Sequence, residues 1–324
     1  MAGVPVIDFQ VYGLDGATDI VPTDTDLKKV AVEMYDALTN VGCLYIKNHG
    51  MSPKMVKRLE AAALQFFSLP IEEKMKFKGN AITHGYVPMG VERLGNATEP
   101  DVKESFVYFP ENLAPWPEIE DFKESFIDVF HNFTILLHRI LEVLALSLDL
   151  EREFFKKHHC TLERQGGTVM RTALYPKMPD DFKKTDGQLR CSEHTDWGTV
   201  TVIHQDNVGG LQVKTKSGEW IDVKPKDGTF VVQIADLMQR WTSNKFYAPP
   251  HRVLKLPDET NSFIGAKRSR FSLIYFGNPD SDTVVQGIDG SKYEPIIASH
   301  YYEELNEKAS KQGYEETFHH TLDI

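Results

Sequence analysis

His194, Thr195 and Asp196 stand in a row, and a lone histidine, His251, follows 55 residues after the aspartate. Two imidazoles and one carboxylate are the donor set that non-haem Fe(II) takes on one face of its coordination sphere. The opposite face then stays open for oxygen and an organic co-substrate. Neighbouring positions on a strand point to opposite faces, so residues 194 and 196 turn one way and Thr195 the other. A His-x-Asp pair alone is also how a metal-free surface triplet reads, and an open site of two histidines and a carboxylate is within the reach of zinc. Arg270 and Ser272 come soon after His251 and share one face if their segment is a strand. A planar, permanently charged guanidinium meets a carboxylate at two points, which lysine does poorly. A zinc hydrolase would want a nearby general base instead, and no clamp for a dianion.

The elements that must position these residues change in texture along the chain. Val4 to Phe9 reads as a short strand. Asp26 to Asn40 carries Leu27, Val30, Met34 and Leu38 at helical spacing and stops at Gly42, before a strand over Cys43 to Lys47. Ser52-Pro53 opens a second helix that runs to about Phe67, with serine as cap and proline in the first turn. Residues 79–100, rich in Gly, Pro and Asn, read as a long irregular segment. Asp121 to Leu148 is the clearest helix, its Phe, Leu, Ile and Val side chains forming a broad apolar face. From Gly167 on, short apolar or alternating runs at Thr168–Leu174, Thr199–His204, Gly210–Lys214, Thr229–Ile234, His251–Leu256 and Arg270–Tyr275 are parted by turn residues. That spacing predicts a β-sandwich or barrel. Ile296 to Gln312 turns helical again.

Composition excludes more than it identifies. The 36 basic against 47 acidic residues give a net charge of −11, which argues against a nucleic-acid surface. Cys43, Cys160 and Cys191 are odd in number and lack metal-ligand spacing, so they are expected as reduced thiols. Asp8 precedes any apolar run long enough for a signal peptide. Phe133 to Leu148 is broken by His138, Arg139 and Glu142 and is too short to span a bilayer. The expectation is a cytoplasmic protein with no membrane and no nucleic-acid partner, a monomer or weak homo-oligomer. Asn96-Ala-Thr98 and Asn132-Phe-Thr134 match the glycosylation triplet and carry no weight without a signal peptide. His49 is read as a satisfied histidine of the fold, and His158-His159 and His319-His320 as solvated.

The motifs taken together carry a resemblance. Tyr175-Pro176, the run from Cys191 to Gly198, Gly209-Gly210-Leu-Gln-Val213, Val231 to Asp236, His251-Arg-Val and Arg270-Phe-Ser272 resemble the Fe(II)- and 2-oxoglutarate-dependent dioxygenases, in their isopenicillin N synthase-like branch. Val4-Pro-Val-Ile-Asp8-Phe9, Val41 to Gly50 and Lys103-Glu104-Ser-Phe106 resemble the amino-terminal region of that branch. The resemblance implies a mainly β fold with flanking helices around a double-stranded β-helix, or jelly roll. The expected division is an amino-terminal α/β region (1–120) packed on the core, a long scaffold helix and connection (121–165), the jelly-roll core (166–285) and a helical carboxy-terminal segment (286–324). It also implies Fe(II) on His194, Asp196 and His251, with 2-oxoglutarate as co-substrate on Arg270, Ser272 and Tyr175. O2 is the oxidant and ascorbate a candidate reductant.

The implied reaction decarboxylates 2-oxoglutarate to succinate and oxidises an unactivated C–H bond of a small molecule, giving hydroxylation, desaturation or ring closure. Relatives that bind their own substrate to iron and use no 2-oxo acid can keep the Arg-x-Ser pair, so such an oxidase stays open. So does a non-oxidative metal-binding barrel. Arg171 shares a strand face with Tyr175, Arg93 lies in the irregular segment, and Phe106 is on the strand that follows it. These three are the candidate substrate contacts, and the two arginines suggest a carboxylate-bearing, amino-acid-derived substrate.

Overall fold

The computed structural model describes residues 3–14, 22–79, 84–95, 97, 99–110, 114–159, 167–177, 189–254, 268–290 and 293–311. Cys160, Asn96, Thr98, Gln312 and His319-His320 lie outside the described residues. The strands used below are β1 (Val6–Asp8), β2 (Cys43–Lys47), β3 (Gly85–Val87), β4 (Glu104–Tyr108), β5 (Val169–Tyr175), β6 (Cys191–His194), β7 (Val200–Gln205), β8 (Leu211–Lys214), β9 (Trp220–Asp222), β10 (Thr229–Ile234), β11 (His251–Val253) and β12 (Arg270–Gly277). The helices are α1 (Asp24–Asn40), α2 (Pro53–Phe67), α3 (Ile71–Met75), α4 (Phe122–Ser147), α5 (Asp236–Trp241) and α6 (Ala298–Lys311).

Local chemistry explains the helix ends. Thr23 caps α1 in a reciprocal box: its hydroxyl accepts from the Asp26 amide, and the Asp26 carboxylate accepts from the Thr23 amide. Gly42 follows at φ +74°, where a Cβ would also run into the Tyr247 carbonyl. Ser52 precedes α2 as expected but makes no side-chain cap bond, leaving Pro53 to start the helix. The irregular segment contains a strand, β3, which pairs with β4. No apolar alternation announces it, because three residues are too few to show a period.

An eight-stranded sheet runs β1-β2-β10-β7-β12-β5-β4-β3 and a four-stranded sheet β6-β11-β8-β9. The amino-terminal strands are therefore members of the large sheet, not a layer packed on it. Alternation along each strand separates two cores. On one face of the large sheet, Leu44, Ile46, Met170, Val202, Phe230, Val232, Leu273 and Tyr275 meet α1, α2 and α4. On the other, Tyr45, Ala173, Tyr175, Ile203 and Val231 face Cys191, Leu211, Val213 and Val253 of the small sheet. This is the double-stranded β-helix, closed on its outer side by helices. At 26 residues α4 is long and apolar enough to cross a membrane, although Phe133 to Leu148 alone is too short, yet most of it is buried in the core here. Its buried Glu142 is held by Arg152, Lys156 and Tyr12. His49 is a fold histidine, accepting from the Met51 amide and stacked on Phe230. His159 is fully buried between the Phe155 carbonyl and Thr199, not solvated as expected.

Asp236 ties the loop after β6 to α5 and α6. Its amide donates to the Asp196 carbonyl at 2.8 Å, and its carboxylate accepts from Thr195 at 2.9 Å and bonds Tyr301. Burial pushes this carboxyl up to about 6, against the pull of the Thr195 bond. The folded state then holds the proton more tightly than the unfolded chain, so stability from this group is greatest below its ordinary value of 3.8 and is lost as pH rises towards 6. Asp236→Asn is expected to flatten that decline by about 3 kcal/mol at most, read as denaturant midpoint against pH. A difference from wild type that stays constant over this range would assign the titration elsewhere.

Candidate active site

His194 ends β6, and His251 opens β11 directly opposite it in the antiparallel pair. The ring centroids lie 4.2 Å apart. Asp196 sits two residues past the end of β6 and is 6% exposed, like His251. Its Oδ1 is 3.7 Å from His194 Nε2 and 3.6 Å from His251 Nε2. One ligand atom from each of the three residues falls within 4.8 Å of the others, which fits a single ion. Carbonyls accept only, so the Ser192 oxygen 2.8 Å from His194 Nδ1 and the Pro249 oxygen 3.3 Å from His251 Nδ1 fix the protons there. The Nε2 lone pair of His194 is left for a metal, and that of His251, which lies 3.2 Å from the Gln233 amide nitrogen, faces the same point. Burial first, and His251 second, push the His194 imidazole well below its ordinary value, keeping it neutral.

The aspartate is equally committed. Thr201 and Gln233 each donate to its Oδ2 at 2.6 Å, leaving Oδ1 turned towards the imidazoles. Burial opposes the charge, but His251, His194 and these two bonds hold the carboxyl below the usual range. Thr195 points away to Asp236, as alternation requires.

Arg270 and Tyr175 are register partners on β12 and β5. The guanidinium lies 4.8 Å over the Tyr175 ring and donates through Nη2 to Gln205 at 3.2 Å. Its Nε and Nη1 are buried and have no hydrogen-bond partner among the described residues. A buried cation with unanswered donors fits a site for an anion that arrives with the co-substrate. Ser272, two residues along the same face, already donates to the His204 carbonyl at 3.1 Å.

The candidate substrate contacts fare differently. Arg171 does face the interior, but its Nη1 is engaged with Glu92 at 2.9 Å and 3.2 Å, so the free cation expected there is corrected to an ion pair. Lys103 joins the same buried group, 3.5 Å from Glu92, 3.1 Å from Asp101 and 3.4 Å from the Cys191 sulfur. Asp101 in turn accepts from the amide and hydroxyl of Ser192. Burial alone would raise Glu92, but Arg171 and Lys103 hold it down at about 2. Arg93, one residue on, is exposed. Phe106 is corrected outright. Glu104, Phe106 and Tyr108 share a face of β4, and Phe106 packs on Phe66, Phe122 and Phe126 in the helical core. Residue parity decides this: Ser105 and Val107 take the interior face. Gly95 passes so close to Glu193 that a Cβ there would meet its carbonyl, bringing the segment over β6.

Sequence reasoning missed Thr201, Gln233, Gln205, Glu92 and Lys103. The first three carried a signal, being polar residues at interior-facing positions of otherwise apolar strands. Thr201→Val is expected to lower Fe(II) or Mn(II) affinity about 10- to 100-fold, the usual cost of losing a group that orients a ligand. Asp196→Ala should abolish tight binding. Unchanged affinity in Thr201→Val, read by titration calorimetry, would dismiss Thr201 as a positioning residue.

Comparison with known proteins gives this geometry its context. Residues 159–279 match the 2OG-Fe(II) oxygenase superfamily, and residues 4–124 match the amino-terminal region described as non-haem dioxygenase in morphine synthesis. The chain is 30% identical to a 2-oxoglutarate-Fe(II) type oxidoreductase, hxnY, of Emericella nidulans, over 96% of its own length and 90% of that protein. It is 32% identical to the proline hydroxylase buaE of Petromyces alliaceus, over 78% and 82%. A full-length Neurospora crassa protein solved in complex with alpha-KG and thymine superposes with a TM-score of 0.80 at 27% identity, covering 95% of this chain and 97% of that one. Likeness that runs almost end to end, over a fold built around two imidazoles and one carboxylate, means that the chain belongs to the 2OG-Fe(II) oxygenase superfamily and is a non-haem dioxygenase that uses Fe(II), 2-oxoglutarate and O2.

Proposed function

We propose that this oxygenase oxidises a C–H bond of a small molecule that carries no net charge and presents both hydrogen-bond donors and acceptors. The observation that carries this reading is the Arg171–Glu92 pair. A lone arginine in the barrel would select a carboxylate. An arginine already bonded to a buried glutamate presents donor and acceptor side by side, with the charge cancelled. The carboxylate-bearing substrate expected from Arg171 and Arg93 loses that argument, whereas a zwitterionic amino acid, neutral overall, does not. Thymine, present with alpha-KG in the Neurospora crassa complex, is a neutral molecule with donors and acceptors and supports the class.

The chemistry that Fe(II), 2-oxoglutarate and O2 supply together when bound is oxidation of an unactivated C–H bond, with succinate and CO2 as co-products. The chain's own part is placement. His194, Asp196 and His251 would hold the ion on one face, with Thr201 and Gln233 fixing the carboxylate. Arg270 would bind the distal carboxylate of the co-substrate with its two unanswered nitrogens, backed by Tyr175 and Gln205. Ser272 would assist after turning from the His204 carbonyl. Arg171 and Glu92 would orient the substrate, and the segment that carries Glu92 would keep water out.

Arg270→Ala is expected to weaken 2-oxoglutarate binding by about 3–5 kcal/mol, some two to four decades at about 1.4 kcal/mol per decade. Metal affinity should stay near wild type. An unchanged 2-oxoglutarate requirement would remove Arg270 from the site.

The substrate class is tested by succinate release coupled to oxidation of a panel of small molecules. Neutral heterocycles and zwitterions should turn over in preference to anions. Glu92→Gln should shift the preference towards carboxylates by about tenfold, since it removes the charge that cancels Arg171. Turnover confined to anions in the wild type would overturn the reading.

A further inference from the structure

Arg190 directly precedes β6, and its side chain is 1% exposed, the same as Arg270. Its Nη2 donates to the carbonyls of Pro176, at 3.4 Å, and Arg268, at 3.2 Å. Those carbonyls lie at the ends of β5 and β12 that carry Tyr175 and Arg270, so the two guanidiniums are brought to one end of the barrel. Among the described residues, the Nε and Nη1 of Arg190 have no hydrogen-bond partner, and neither do the same two buried atoms of Arg270. Four sealed donors on two like charges are costly unless an anion joins them. Burial, and then the charge of Arg270, hold the Arg190 guanidinium below its ordinary value. Asp206 acts on Arg190 from the opposite sign, but its oxygens are engaged by the amides of Val208 and Phe271. One further negative charge would balance the group.

We propose that Arg190 is a second guanidinium of the 2-oxo acid site, binding the distal carboxylate of 2-oxoglutarate together with Arg270 and selecting dicarboxylic over monocarboxylic 2-oxo acids. The proposal rests on the reading of Arg270 as the clamp. Its chemistry is that of a carboxylate held by two planar forks, one over the Tyr175 ring and one anchored to two backbone carbonyls. Anchoring through Nη2 leaves the Nε and Nη1 of Arg190 without a partner among the described residues. A purely structural arginine would spend those donors on the carbonyls of the strand ends instead.

The test uses full-length, Fe(II)-loaded protein under anaerobic conditions, titrated with 2-oxoglutarate and with 2-oxopentanoate. The second acid is the same chain with a methyl in place of the distal carboxylate. Binding is read from the visible charge-transfer band of the chelate, and melting temperature from the unliganded protein. Arg190→Leu should weaken 2-oxoglutarate about 10- to 100-fold, the size of a charge-assisted hydrogen bond. Binding of 2-oxopentanoate should stay within about twofold, because that acid makes no use of either arginine. Arg190→Gln, which keeps a donor for the Pro176 and Arg268 carbonyls, should show the same loss and serves if the leucine variant does not fold. Wild-type 2-oxoglutarate affinity in a folded variant, or equal weakening of both acids, would overturn the proposal and make Arg190 a brace for the strand ends. Arg270→Leu runs beside it. If that variant alone loses the preference for the diacid, only the role of Arg190 falls; if neither variant loses it, the clamp reading falls as well.

Discussion

The carboxylate of Asp196 is gripped on one oxygen by Thr201 and Gln233, and the rest of the site is built around the oxygen that remains. A carboxylate free to rotate would present either oxygen and swing across the space between the imidazoles. Fixed in this way, it offers Oδ1 at nearly equal distances from both Nε2 atoms. The grip depends on the two sheets facing each other. Asp196 follows β6 of the small sheet, whereas Thr201 is on β7 and Gln233 on β10, neighbours in the large one. Sheet closure and ligand geometry are thus one constraint, met by the same residues.

Burial of charge governs what surrounds that centre. Glu92, Lys103, Asp101 and Arg171 lie sealed in pairs of opposite sign and join the segment around Gly95 to β5 and β6. Breaking any one pair would leave an uncompensated charge in a medium that solvates it poorly. This cluster therefore fixes the covering segment over the site more firmly than its lack of regular structure suggests. Arg190 and Arg270 are the contrary case, with donors that no described residue answers. Satisfied and unsatisfied charges thus lie side by side in one interior, with Tyr175 acted on by Arg270 and by Lys103 alike.

Much of this was legible in the chain. His194, Asp196 and His251 stood out because a metal needs few donor types at definite spacing, and β6 and β11 set those donors face to face. Helices α1 and α4 were legible from their apolar periodicity and α2 from its Ser-Pro start, whereas the short α3 and α5 were not, and β2 was legible to the residue, because Cys43 to Lys47 is bounded by Gly42 and Asn48. Phe106 was misplaced by one step of alternation, since a short strand met out of context does not say which face is inward. Arg171 was placed on the correct face, but its partner lies 79 residues earlier in a segment with no periodicity to read. Long-range charge pairing is set by the fold, and a single sequence carries no record of it.

That contrast explains why the chain speaks clearly about its reaction and faintly about its substrate. His251 and Arg270 sit on strands paired on both sides, and His194 and Asp196 lie at and just past the end of β6, which β11 holds in register, so their positions follow from local spacing. Glu92 comes from the irregular stretch between β3 and β4, and it reaches Arg171 only because Asp101 and Lys103 bind that stretch to β6. Substituting Glu92 or Lys103 would alter the charge presented to a substrate without moving a strand. Selectivity in this molecule accordingly rests on residues that the fold constrains through charge balance, while its chemistry rests on residues constrained by backbone register.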